Sequence, residues 1–204
     1  GPIHVAVGDV NADGKLDVVT ANENSDNVSL LLGNGNGTFA PALAIAVNST
    51  PRSVVLRDLN NDGKLDLAVG HAGQNTVAVL LGNGDGSFQT RVTYASGTSD
   101  SYHLIATDLN SDGWLDLVMS GYGNSRLSTF LNRGDGTFEP ATTYAVGNRP
   151  FGMVSADFNS DSRTDLVFAN YSGNSITVLL GNDTEPLTPD SNAGSMFIGR
   201  ARGS

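Results

Sequence analysis

The chain has 204 residues, 39% of them hydrophobic, enough for a packed core in one or two domains. Its formal net charge of −10 makes nucleic acid and anionic membranes poor partners. It has no cysteine, which excludes disulfides and thiolate metal sites and leaves the redox compartment undecided.

The N-terminal "GPIHVAVGD" has no charged stretch followed by an apolar run, so no signal peptide is read there. Pro2 fits the repeat described next, so "GP" is taken as native sequence. No stretch approaches the roughly 18 apolar residues of a membrane span, and no membrane insertion is expected. The first strand runs into "DVNADGKLD" at residues 9–17. The pattern returns as "DLNNDGKLD" from Asp58, "DLNSDGWLD" from Asp108 and "DFNSDSRTD" from Asp157, at intervals of 49, 50 and 49 residues. A Gly-rich marker ends 30 residues after each start: "GNGNGTF" at Phe39, "GNGDGSF" at Phe88 and "NRGDGTF" at Phe138, with a decayed "GNDTEPL" at Leu187.

Each unit reads as about four short strands. In the second unit these are 51–57 before the acidic loop, 65–70 after it, 76–82, and a fourth from Phe88 to Ala95. The segments are β-branched and aliphatic, separated by Gly, Asn, Asp and Ser. Runs such as "VAVLLG" are apolar almost throughout, as strands covered on both faces would be. No segment keeps a helical period. Four-stranded units repeating every 40–50 residues predict an all-β propeller, or an arc of one, with blades at about 2–48, 49–97, 98–147 and 148–187. Residues 188–204 read as an irregular or disordered tail. Four blades lie near the low end of known rings.

The loops carry the chemistry. Positions 1, 3, 5 and 9 offer side-chain oxygens, and position 7 offers a backbone carbonyl. These are Asp9, Asn11, Asp13, Asp17 and Lys15 in the first loop, and Asp58, Asn60, Asp62, Asp66 and Lys64 in the second. The third has Asp108, Asn110, Asp112, Asp116 and Trp114; the fourth has Asp157, Asn159, Asp161, Asp165 and Arg163. A tight loop that turns alternate oxygens inward suits a cation wanting 6–8 oxygen ligands, and calcium is the expected guest, up to four ions. Zinc would want His or Cys. Asp, Asn and Gly are also ordinary turn formers, but four copies in register favour the ligand reading. An EF-hand would need Glu at position 12, between helices. Thr20, Val69, Met119 and Phe168 stand there, inside predicted strands. The fourth loop has Ser162 in place of Gly and is expected to bind most weakly. The loops hold 12 of the 21 acidic residues, three Asp in each, and four calcium ions would bring −10 to −2. Folding and calcium binding should therefore be coupled.

On the D-x-N-x-D-G-x-L-D loops and the "GNGDGSF"-type turns, the sequence resembles the FG-GAP/VCBS repeat family, the blades of integrin-α-like β-propellers, over about residues 2–183. The resemblance implies calcium at these loops. It also implies a secreted or cell-surface setting and adhesion, protein binding or carbohydrate binding, with some such propellers attached to enzymes. Rings of this type usually have seven blades, so four would form an arc of a longer protein, or self-associate to close a ring.

Other candidates weigh less. "RGD" at residues 133–135 coincides with the repeat's own turn. His4 and His103 share one repeat position, five residues before the first loop Asp, and would face a central channel if the first strand lines one. Tyr102, Trp114, Tyr122, Phe151 and Tyr171 would either stack on sugars or pack between blades, and packing is favoured. Sequons at Asn27, Asn36, Asn48, Asn170 and Asn182 are weak signals in an Asn-rich chain. No zincin, nucleophile-elbow or P-loop motif is present. The expected function is a non-catalytic, calcium-binding recognition module for a protein or glycan. The alternatives are the propeller part of a secreted lyase or hydrolase, and a repeat fragment without an independent role. His, Lys, Arg and Tyr converging on one pocket would favour the enzyme.

Overall fold

The structure is a computed structural model. It describes residues 1–181 and two short strands at 188–189 and 196–197. Each repeat folds into an antiparallel sheet of consecutive strands. The first holds β1 (Pro2–Gly8), β2 (Asp17–Asn22), β3 (Asn27–Leu31) and β4 (Leu43–Ala46). The second holds β5 (Pro51–Arg57), β6 (Asp66–His71), β7 (Thr76–Leu80) and β8 (Val92–Ala95). The third holds β9 (Ser101–Thr107), β10 (Asp116–Gly121), β11 (Arg126–Phe130) and β12 (Thr142–Ala145). The fourth holds β13 (Pro150–Ala156), β14 (Asp165–Asn170) and β15 (Ser175–Leu180), on which the two-residue strands β16 (Thr188–Pro189) and β17 (Met196–Phe197) pair. The marker expected to end at Leu187 and most of the tail lie outside the described residues.

The outermost strand is shorter than the sequence suggests. Phe88 makes only an isolated bridge to Gly82, and the ladder resumes at Val92. Gln89, Thr90 and Arg91 between them are exposed. The Gln89 amide still donates to the Leu81 carbonyl (2.7 Å), but Thr90 and Arg91 diverge from the ladder on an edge that has one neighbour. Thr20, Val69, Met119 and Phe168 all lie in second strands, as read.

Three apolar clusters lie in the three gaps between successive sheets. Val19, Val28 and Leu30 meet Val54, Leu56 and Leu67 in the first gap. Leu59, Ala68 and Val79 meet Leu104, Leu117 and Phe130 in the second, and Val118 and Leu127 meet Met153, Leu166 and Phe168 in the third. The second strands of the two middle sheets are therefore buried at every residue, whereas β2 alternates. Burial of each such Leu or Phe contributes about 1.5–3 kcal/mol.

The innermost strands pack in sequence, β1 on β5, β5 on β9 and β9 on β13, and together line a cavity of about 550 Å³ along the axis. The arc is open. Val5 is 56% exposed, although its counterparts Val54, Leu104 and Met153 are at most 4% exposed because a preceding sheet covers them. At the other end Phe158 is 51% exposed, while Val10, Leu59 and Leu109 are at most 3% exposed. Each innermost strand ends at its acidic loop, so loops and Gly-rich turns share one face of the arc. The turns joining second to third strands form the opposite face.

His71, at the end of β6, is fully buried, and its Nε2 has no hydrogen-bond partner among the described residues. Burial lowers its pKa from 6.5 to about 4. The charged form is disfavoured in the fold, so its contribution to stability is complete above pH 6.5 and is lost as pH falls towards 4. The difference is on the order of 3 kcal/mol. Urea unfolding at stepped pH should show His71→Leu losing less stability than the parent across this window; equal slopes would contradict the assignment.

Candidate functional site

All four acidic loops share one geometry. In the first, the Asp13 amide donates to both Asp9 Oδ1 (3.1 Å) and Asn11 Oδ1 (3.2 Å). The Gly14 amide donates to Asp9 Oδ2 (2.8 Å), and the Lys15 amide to Asp13 Oδ1 (2.9 Å). The second and third loops repeat these contacts within 0.1 Å: Asp62 to Asp58 and Asn60, Gly63 to Asp58, Lys64 to Asp62; then Asp112 to Asp108 and Asn110, Gly113 to Asp108, Trp114 to Asp112. The fourth loop keeps the pattern, Asp161 to Asp157 and Asn159, Ser162 to Asp157, Arg163 to Asp161. Oxygens of positions 1 and 3 thus converge on one amide, with position 5 beside them.

The turn requires a left-handed backbone at position 6, where Gly14, Gly63 and Gly113 have φ of +80°, +83° and +87°. Ser162 is held there at +67°, a conformation costing an L-residue about 1 kcal/mol or more.

The position-9 aspartates are placed differently from the other ligand candidates. Asp17, Asp66, Asp116 and Asp165 are fully buried. Each accepts one amide from position 2 of its own loop: Val10 (2.9 Å), Leu59 (2.8 Å), Leu109 (2.9 Å) and Phe158 (2.8 Å). The other oxygen accepts an amide 16 residues on, at the Gly-rich turn: Gly33 (2.8 Å), Gly82 (2.7 Å), Asn132 (2.8 Å) and Gly181 (2.9 Å). A Cβ at Gly33 or Gly82 would lie 2.1 or 2.2 Å from the carbonyl oxygen of Leu16 or Leu65, which explains those glycines. This bolt was not read from the sequence, although the constant 16-residue spacing was its signal. Burial pushes the Asp116 carboxyl up to about 6 and raises Asp66, partly offset by the two amides each accepts. Asp13 is held below its usual range by the Lys15 amide and ammonium.

The loops also brace the next blade. The Gly86 amide donates to the Val10 carbonyl (3.1 Å), and Asn132 Nδ2 donates to that of Leu59 (2.7 Å). As oxygen donors, the loops fit a hard cation such as calcium and not zinc. Among the described residues no group of three or more His, Asp or Glu is gathered as it would be around a metal. Each loop interposes an Asn between its outer carboxylates and turns its third carboxylate to the backbone.

On the opposite face, the position five residues before each loop links neighbouring sheets. His4 Nδ1 accepts the Val54 amide (3.3 Å), Ser53 Oγ that of Leu104 (3.1 Å), and His103 Nδ1 that of Met153 (3.3 Å). Gly152 has no side chain for a further link. Each imidazole accepts at Nδ1, so its proton sits on Nε2. Burial lowers both pKa values. One residue earlier stand Ile3, Arg52, Tyr102 and Phe151, which with the two His line a hollow of about 400 Å³. Arg52 bonds Glu23 (2.7 Å) and Asp100 and lies 4.9 Å over the Tyr102 ring.

A model of the FG-GAP-like repeat matches residues 9–69, 58–119 and 108–168. The chain belongs to the FG-GAP-like repeat family. No curated protein matches it significantly. The FG-GAP arc is similar in fold to a 6-phosphogluconolactonase-like protein of Bacteroides fragilis (TM-score 0.70, 19% identity, 94% of this chain and 54% of that one). It also resembles a streptogramin B lyase (0.62, 19%, 96% and 57%) and the V. cholerae biofilm matrix protein Bap1 (0.54, 16%, 86% and 26%). The chain spans about half the length of the first two.

The remaining candidates resolve into local roles. In the "RGD" turn of the FG-GAP arc, Arg133 forms a two-bonded pair with Glu139 (2.8 and 2.9 Å), and Asp135 accepts the Thr137 amide and hydroxyl. Trp114 covers the turn of its own blade, 3.1 Å from where a Cβ on Gly134 would sit. Asn170 is buried in β14, unsuited to glycosylation, and Asn182 lies outside the described residues. Tyr102, Tyr122, Phe151 and Tyr171 do contact one another across the third and fourth blades, at centroid distances of 4.3–6.4 Å. They belong to none of the three core clusters.

Two substitutions test this geometry. Asp66→Asn leaves one buried amide facing an NH2 group and should destabilise by about 1–3 kcal/mol in chelator, read by urea unfolding. Ser162→Gly should stabilise by about 1 kcal/mol in the same measurement, by removing the left-handed strain.

Proposed function

We propose that this FG-GAP arc is a calcium-stabilised, non-catalytic recognition module, secreted or exposed at a cell surface, that binds a protein or carbohydrate. The observation that carries the calcium half is the fourfold recurrence of one loop geometry, with Asp and Asn oxygens at positions 1 and 3 converging on one amide. Positions 1, 3, 5 and 9, with the backbone carbonyl of position 7, are the proposed ligands in each loop. A cation there would offset the outer carboxylates of positions 1 and 5, draw on an oxygen of position 9 that also accepts a backbone amide, and stiffen the loop that braces the next blade. The exposed end faces at Val5 and Phe158 support association through blade-like contacts, with a second copy or further blades as occupant.

The enzyme reading has one observation in its favour: His4, His103, Arg52 and Tyr102 line one hollow. The chemistry of those groups favours binding. Both imidazoles use their basic nitrogen to accept backbone amides, and Arg52 is held between two carboxylates, so neither a free base nor a free cation faces the hollow from them.

Calcium in millimolar excess should raise the melting temperature by several degrees over chelator, with magnesium less effective. Light scattering in calcium should show mass above the 21.1 kDa monomer at high protein concentration. Identical melting curves in calcium and chelator would overturn the calcium reading.

A further inference from the structure

We propose that the axial hollow on the face opposite the acidic loops is a binding site for a neutral saccharide. This deepens the recognition half of the function proposed above and rests on it.

The mouth of the hollow is built from a position that the repeat does not keep constant. Ile3, Arg52, Tyr102 and Phe151 occupy one repeat position, six residues before the first loop Asp, and the position holds a different residue in each blade. The arc brings the four to one mouth at the axis. Tyr102 and Phe151 lie 4.3 Å apart with a 38° tilt, and Tyr122 and Tyr171 continue the aromatic cluster beyond the residues that line the hollow. Arg52 lies 4.9 Å over the Tyr102 ring and Phe151 stacks 4.3 Å from it, so the open aromatic surface is that of Phe151, 44% exposed, with Tyr171, 68% exposed, beyond it. Such a surface matches the C–H face of a sugar ring.

The polar groups select the ligand's charge. His4 and His103 sit with ring centroids 5.7 Å apart, each with Nδ1 committed to a backbone amide, which leaves two Nε2–H donors. Glu23 and Asp100 both bond Arg52, so no free guanidinium is offered to an anion, and the three groups together carry one net negative charge that disfavours an acidic ligand. Neutral donors, part-used acceptors and aromatic faces within about 400 Å³ suit a polyhydroxylated, uncharged ligand. Arg149 lies outside the residues that line the hollow, 5.1 Å over Tyr122 and 3.4 Å from its hydroxyl, and is the group an acidic saccharide reaching past Tyr122 would use.

The test titrates the full chain in calcium with neutral di- to tetrasaccharides of glucose, galactose, mannose and xylose, and with uronate oligosaccharides and a peptide array alongside. Calorimetry and aromatic-proton NMR report binding. The proposal expects at least one neutral saccharide to bind, to perturb Tyr102 and Phe151, and to lose tenfold or more affinity in Tyr102→Ala and Phe151→Ala. Arg149→Ala should change it less than threefold. His103→Gln, checked for an unchanged melting temperature, should also weaken binding. If His103→Gln does not fold, the two aromatic variants alone decide. Four results would overturn the proposal: no neutral saccharide bound, binding indifferent to Tyr102 and Phe151, uronates bound through Arg149 in preference, or a peptide as sole ligand. Repeating the titration in chelator separates the claims, since a saccharide bound without calcium leaves this site standing while the calcium reading fails.

Discussion

A buried aspartate that accepts two backbone amides at once sets the geometry of every blade. Asp17, Asp66, Asp116 and Asp165 each tie position 2 of the acidic loop to the turn 16 residues on. A buried carboxylate is costly unless its oxygens are satisfied, and two amide donors satisfy it while fixing where loop and turn must lie. The loop's outer oxygens then face inward on a frame that is already rigid, and its position-2 carbonyl meets the next blade. Local hydrogen bonding, blade geometry and blade-to-blade register thus depend on one side chain per repeat.

Two faces divide the labour. On the loop face every blade repeats the same residues, because the same backbone has to be held each time. On the opposite face the equivalent positions differ from blade to blade, and the contrast between Arg52, Tyr102 and Phe151 arises there. The inner strands connect the faces through His4, Ser53 and His103, which link adjacent sheets, and the two His also line the axis. The exposed ends of the arc follow from the same logic, since Val5 and Phe158 stand where other blades bury a residue against a neighbour.

The fold was legible because its signals are local and repeated. The loop pattern marks the first turn of each blade, the Gly-rich marker marks the third, and apolar runs between them can only be strands covered on both faces. Strand Pro51–Arg57 was read to the residue. The fourth strand was overextended at Gln89–Arg91 positions because nothing in the composition reports that an outer edge has no partner. The role of Asp66 was half legible. Its offset within the loop marked it as an oxygen donor, but its partners Leu59 and Gly82 lie 7 and 16 residues away, and only the folded hairpins bring them together. The axial hollow was hidden for a stronger reason. Its residues come from four blades about 50 residues apart; the shared repeat position of His4 and His103 pointed to a common axis, but that Arg52, Tyr102 and Phe151 form one mouth with them emerges only when the sheets are wound round that axis.

The central claim, that the buried loop carboxylate is the bolt of each blade, is most directly tested by native-state hydrogen exchange in chelator. The amides of Leu59 and Gly82, both donated to Asp66, should exchange only with global unfolding, as slowly as the amides of the β6 ladder. If they exchange as fast as the exposed loop amides around Asp62 while β6 stays protected, the carboxylate is not what holds loop and turn together.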